Sequence, residues 1–129
     1  PEYQGLRTVP GIGYILALTI MLEIGDISRF DKAGDLVSYG RCVKAIKKSN
    51  GKKKGTNNSK NGNKYLSWAF AEAVNKMVQY NEKAKRFYQR KKDKRNVFVA
   101  SKSLAAKIAK ACFYILRDNT TFDESRIFG

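Results

Sequence analysis

Nine cations and no acid lie between Arg41 and Lys64: Arg41, Lys44, Lys47, Lys48, Lys52, Lys53, Lys54, Lys60 and Lys64. Gly51, Gly55 and Gly62 punctuate the same stretch and leave its backbone open to close approach. Such a tract holds phosphates without reading bases, and its hold weakens as salt rises. Lys47, Lys48, Lys52, Lys53, Lys54, Lys60 and Lys64 are therefore candidate nucleic-acid contacts. A second basic segment, Lys83 to Arg95, carries Lys83, Lys85, Arg86, Arg90, Lys91, Lys92, Lys94 and Arg95 around Phe87 and Tyr88. Aromatic rings among cations can stack on bases. Here Phe87 is expected to turn inward, Tyr88 is open, and Arg86, Arg90 and Lys91 are the candidate contacts.

A third feature precedes both. Leu6-x-x-Val9-Pro10-Gly11-Ile12-Gly13, followed by an apolar helix containing Ala17, resembles a helix-hairpin-helix module. Pro10 ends one helix, and Gly11 and Gly13 permit a tight turn beside a phosphate. The free N–H groups at the start of the next helix can then hold that phosphate. An ordinary helical hairpin with a Pro-Gly turn has the same pattern; the charge tips the balance towards DNA.

The composition narrows what else is possible. The chain has 129 residues and a formal net charge of +15, which calls for a polyanionic partner, nucleic acid before an anionic membrane. It has no histidine, so imidazole chemistry is excluded. Two cysteines, Cys42 and Cys112, make neither a zinc site nor a disulfide scaffold and are expected in or near the core, as is Trp68. Glu23, Asp26, Asp31 and Asp35 lie close in sequence, but Asp26 and Asp31 read as turn and cap residues and Asp35 as a solvated face; no metal site is expected. The apolar run Ile12 to Ile24 is too short to span a bilayer comfortably. A chain opening Pro1-Glu2 inside helix-like sequence reads as a piece of a longer protein, expected in the cytoplasm with the nucleoid.

The elements that must position these residues are helical. A hydrophobic content of 43% supports one packed domain over 1–129. A short helix from Glu2 to Val9 leads to a second from Tyr14 to Ile24, closed by Gly25, so that 2–25 forms the helix-hairpin-helix-like unit. Asp31 is placed as the cap of a third helix, Lys32 to Tyr39, with Leu36 and Tyr39 inward. A flexible basic loop occupies 40–63, in which Val43 to Ile46 could pair weakly. Asn63 then caps a long helix with Leu66, Phe70, Ala73, Met77 and Tyr80 as its core stripe, continuing to Lys92. A last helix, Val97 to Arg117, turns Val97, Ala100, Leu104, Ile108, Ala111 and Ile115 inward, and a frayed tail follows. The fold class is all-α, with two long helices packed antiparallel over 63–117.

The order of motifs is itself informative. Thr8-Val9-Pro10-Gly11-Ile12-Gly13, Leu22-Glu23-Ile24-Gly25-Asp26, Arg29-Phe30 and Leu36-x-x-Tyr39 follow one another as in one transposase family. So do Ser49-Asn50-Gly51-Lys52-Lys53-Lys54-Gly55, Lys60-Asn61-Gly62-Asn63-Lys64-Tyr65-Leu66 and Phe70-Ala71-Glu72-Ala73. Over nearly its whole length the chain resembles the C-terminal transposase domain of the insertion-sequence-110 family, the 116/110/902 group.

That resemblance implies a DNA recombinase in which an N-terminal RuvC-like domain, bearing a DEDD carboxylate set for Mg²⁺, works with this helical domain. The helical domain would bind DNA and supply a serine that attacks a DNA phosphate. In some members a bridge RNA guides the reaction, and the full-length protein is expected to be a homo-oligomer. Carried onto this chain, the serine is Ser49, with Ser59 as runner-up; Asn50 stands where the family more often has glycine. No cofactor is expected in this domain itself, and Mg²⁺ is expected in the N-terminal one. The fragment alone is expected to be inactive, since a hydroxyl needs a base or metal to activate it and this chain has no histidine to help. The alternative function is a non-catalytic helix-hairpin-helix module that clamps DNA or guide RNA. A structural RNA-binding protein is a third reading, resting on charge alone.

Overall fold

A computed structural model describes residues 2–42 and 62–129. Among these residues the chain is all-α, with seven α-helices and no strand. They are α1 (Glu2–Arg7), α2 (Tyr14–Ile24), α3 (Ala33–Tyr39), α4 (Lys64–Tyr80), α5 (Glu82–Lys94), α6 (Val97–Asp118) and α7 (Glu124–Phe128). A 3₁₀ turn, Ile27–Arg29, lies between α2 and α3, with the Asp26 carboxylate accepting from the Ser28 N–H.

The central element is α6, which touches α1, α3, α4, α5 and α7. Because neighbours surround it, it buries more than one stripe: Ala100, Leu104, Ala105, Ile108, Ala109, Ala111, Cys112, Phe113, Ile115 and Leu116. Alanines alternating with larger side chains let flanking helices approach closely. Asn96 caps its start through the Val99 N–H, and Asn119 ends it in the left-handed conformation. Both cysteines are buried, as expected.

Several expectations need correction. The helix predicted from Lys64 to Lys92 is two helices, broken at Asn81. That residue adopts an extended conformation, donates its N–H to Met77 O, and accepts from the Ala84 N–H through its side chain. One residue thus ends α4 and starts α5, and the expected pair of long helices becomes α4, α5 and α6. Asp31 does not cap α3: Lys32 occupies the cap position, and the Asp35 carboxylate accepts from its N–H at 3.3 Å. The tail is not frayed, because α7 packs back, setting the Phe128 ring 5.9 Å from Phe87.

Three side chains expected inside are outside. Trp68 is 48% exposed, Tyr80 71% and Val97 53%. Tyr80 and Val97 sit at helix ends, beyond the reach of the neighbours that cover the middle of each stripe. Trp68 lies on the α4 flank next to the buried Leu66, Ala69 and Phe70 face.

Candidate nucleic-acid interface

The helical start forms around Gly11. Its φ of +101° is a conformation that L side chains rarely adopt. A Cβ there would lie 2.8 Å from Ala73 O and 2.9 Å from Met77 N. Gly11 therefore lets the turn between α1 and α2 press directly on the backbone of α4. Gly13 is different: a Cβ there would meet nothing within 4 Å. It holds the N-cap position of α2 without a side-chain cap, and the first intrahelical bond is Ala17 N–H to Gly13 O. The amides of Tyr14, Ile15 and Leu16 thus lack an intrahelical acceptor and can meet an anion.

At the other end of α2, Glu23 meets the start of α4. Asn63 donates from Nδ2 to Glu23 Oε1 at 2.8 Å and to Tyr39 Oη at 3.3 Å. Its Oδ1 accepts from the N–H groups of Tyr65 and Leu66, so one side chain caps α4 and ties it to α2 and α3. With Glu23 at Asn63 and Gly11 at Ala73 and Met77, α2 and α4 run in opposite directions. Asn63, and after it Arg29, hold the Tyr39 hydroxyl below its ordinary pKa by hydrogen bonding. The Arg29 guanidinium lies over the Tyr39 ring at 4.8 Å and over Phe30 at 5.1 Å. The motif residues Glu23, Arg29, Phe30, Tyr39 and Asn63 therefore converge in space.

They converge beside Arg41 and Gly62, at the described residues that border 43–61. The Asn63 N–H bonds to Tyr39 O at 2.6 Å, and Arg41 Nη2 donates to Gly62 O at 3.2 Å. Lys102 on α6 donates to Arg41 O at 2.6 Å. The two ends of the segment are pinned side by side against α3, α4 and α6. Ser49, Ser59, Lys47, Lys48, Lys52, Lys53, Lys54 and Lys60 lie outside the described residues, as do Val43 to Ile46. Lys64 is described: it opens α4, exposed, with its ammonium 5.4 Å from the Tyr65 ring centre.

The second basic segment is now α5. Phe87 is buried, as expected, and Tyr88 is half-buried against the core. Arg86 pairs with Glu82 at 3.4 Å on the exposed face, one turn apart. Arg90 and Lys91 are in no ion pair among the described residues; both lie over the Phe87 ring, at 5.7 and 5.6 Å. They are joined by two cations of α6, Lys107 and Lys110, which sequence reading passed over. Lys107 donates to Ile127 O at 3.0 Å and lies 5.0 Å from the Phe87 ring centre. Burial pulls its pKa down, and Lys110, Lys91 and Arg90 add to the effect. Four cations are thus crowded on the α5–α6 face, an arrangement that a phosphate would relieve. The i, i+3 spacing of Lys107 and Lys110 was visible, but only the packing of α6 on α5 puts them beside Arg90 and Lys91.

The carboxylates are engaged elsewhere: Glu23 with Asn63, Asp26 with the Ser28 N–H and Asp35 with the Lys32 N–H. Among the described residues no group of three His, Cys, Asp or Glu side chains could hold a metal ion. Nor is any helix among them long and apolar enough to cross a membrane.

One family model, described as Transposase IS116/IS110/IS902 family, matches residues 3–89. The matched span runs from α1 through the convergent motif residues to the middle of α5. No protein of curated function and no solved structure matches the chain.

Proposed function

Since the chain belongs to the transposase IS116/IS110/IS902 family, we propose that it is the DNA-engaging, serine-donating domain of a site-specific transposase. It works in this reading with an N-terminal RuvC-like domain elsewhere in the same protein. The observation that carries the reading is the matched span, 3–89, which includes Ser49 and the whole basic segment. A net charge of +15 and the crowded cations of α5 and α6 support a phosphate-bearing partner.

In the reaction, Ser49 Oγ attacks a DNA phosphorus. A phosphorus–oxygen bond to serine forms, the bond to one deoxyribose oxygen breaks, and that oxygen leaves with a proton as a hydroxyl. The serine proton passes to a base. The phosphoester count is unchanged, so the exchanged strand can be resealed without ATP. Lysines flanking Ser49 in sequence would stabilise the charge that builds on the five-coordinate phosphate. On this reading the base and the Mg²⁺ are supplied by the RuvC-like domain, as the family resemblance implies. Residues 1–129 alone therefore bind DNA and do not exchange it. A guide RNA and a second subunit are further partners on this reading, and the place of action is the cytoplasm, with the nucleoid.

The second reading, a non-catalytic clamp on DNA or guide RNA, is favoured by the free amides of α2 beside the unobstructed Gly13. Ser49→Ala in the longer protein separates the two. Retained DNA binding with loss of strand exchange supports the catalytic reading, and undiminished strand exchange leaves only the clamp.

A further inference from the structure

Between the α1–α2 turn and α4 lies an open groove of about 750 Å³. Its α4 wall is a single stripe, Trp68, Glu72, Lys76 and Tyr80, each four residues after the last. Positions four apart on a helix lie nearly above one another, so these side chains form one ridge about 18 Å long. An aromatic ring stands at each end of the ridge. Trp68 is 48% exposed and Tyr80 71%; Tyr14, on the facing α2 wall, is 61% exposed.

Three exposed rings in one groove are not explained by the core, which closes without them. They come with charge: Arg7 and Lys76 line the same groove, both exposed, and neither is in an ion pair among the described residues. The free amides of Tyr14, Ile15 and Leu16 begin the α2 wall. Glu72 is the groove's one acid. A carboxylate between two rings repels phosphates but not bases, and so favours a strand that turns its bases inward.

We propose that this groove is a stacking platform for unpaired nucleotides, with bases on Trp68, Tyr80 and Tyr14 and phosphates met by Arg7, Lys76 and the α2 amides. The ridge is as long as about five stacked nucleotides at ~3.4 Å each. Stacking needs only the faces of the bases, so the platform takes single strands with little regard to sequence. A duplex keeps its bases stacked on one another and cannot use it. The inference rests on the DNA reading above and adds which state of the DNA this surface takes: a strand already opened or ended.

Trp68 is the only tryptophan of the chain, so its emission reports on this groove alone. The test titrates residues 1–129 with labelled decathymidylate and with a decamer of abasic sites carrying the same phosphates. Label anisotropy follows binding, and Trp68 emission follows stacking. The thymidylate is expected to quench Trp68 and to bind about tenfold more tightly than the abasic strand. Tyr80→Leu, at an exposed position, should narrow that difference without lowering the thermal midpoint. Equal binding and equal quenching by the two strands would overturn the proposal, leaving a phosphate groove. Binding with no change in Trp68 emission would also overturn it, placing the strand elsewhere and the groove among protein-docking surfaces, while the DNA reading stands. No binding of any DNA would remove both.

Discussion

Asn63 Nδ2 donates to Glu23 Oε1 at 2.8 Å, joining the C-terminal turn of α2 to the first residue before α4. The same Asn63 caps α4 and donates its backbone N–H to Tyr39 O. A single side chain therefore ties α2, α3 and α4 together. Replacing Asn63 by Ala removes the cap and leaves Glu23 without this donor; a loss of about 1–3 kcal/mol is expected in urea unfolding. Glu23→Gln keeps an acceptor in place and should cost less than about 1 kcal/mol. Equal losses in the two variants would mean that the Glu23 charge, rather than the Asn63 cap, sets the stability of this corner.

The two turn glycines have separable roles. Gly11→Ala forces a side chain into a left-handed φ and against the α4 backbone, so it should destabilise the fold by about 3 kcal/mol. Gly13→Ala meets open space and should leave the thermal midpoint nearly unchanged. Its effect should appear in affinity for single-stranded DNA, where a methyl group hinders a phosphate approaching the α2 amides. Unfolding curves and binding isotherms of the two variants, side by side, test the division.

The α5–α6 cations make a prediction about salt. If Arg90, Lys91 and Lys110 meet phosphates, each neutralising substitution (Arg90→Gln, Lys91→Gln, Lys110→Gln) should lower the slope of log K against log salt by about 0.9 for duplex DNA. Arg86→Gln should change the slope less, since Glu82 already offsets that charge. Slopes unchanged in all four variants would place the DNA on another face.

The buried thiols predict an alkaline limit to stability. Burial pushes Cys42 up to about 12 and Cys112 higher still, whereas an unfolded thiol ionises near its ordinary value. Above that ordinary value the unfolded chain releases protons that the folded chain keeps, so stability contributed by these thiols is lost as pH rises from about 9. Relative to the chain itself, Cys42→Ala should show a shallower fall in stability between pH 9 and 11. At neutral pH neither thiol should react with iodoacetamide until denaturant is added, which mass spectrometry checks.

How far the sequence could be read depends on where the deciding contacts lie. The Asn63 cap, the buried Phe87 and the two buried cysteines were legible, because a cap acts within four residues and the others follow from helical spacing and residue type. The break at Asn81 was not. The apolar period of Leu66, Phe70, Ala73 and Met77 runs straight up to it, and Asn81 also donates from Nδ2 to Glu124 Oε1, forty-three positions away. Trp68 and Tyr80 were misplaced for a related reason: periodicity tells which side of a helix is apolar, not whether a neighbour covers its flanks. For the candidate site, the convergence of Glu23, Tyr39 and Asn63 and the meeting of Arg90 and Lys91 with Lys107 are tertiary facts. The order of Glu23, Tyr39 and Asn63 along the chain carried the family resemblance, but not their contacts.

On the proposed function, Ser49 becomes bonded to a DNA phosphate. The direct measurement incubates the longer protein with its DNA substrate and Mg²⁺, traps protein–DNA adducts in denaturant, digests with nuclease and locates the nucleotide by peptide mass spectrometry. A nucleotide on the peptide containing Ser49, lost in Ser49→Ala and kept in Ser59→Ala, is the predicted result. Strand exchange that proceeds with no adduct on this chain, or with an adduct that survives Ser49→Ala, would contradict it.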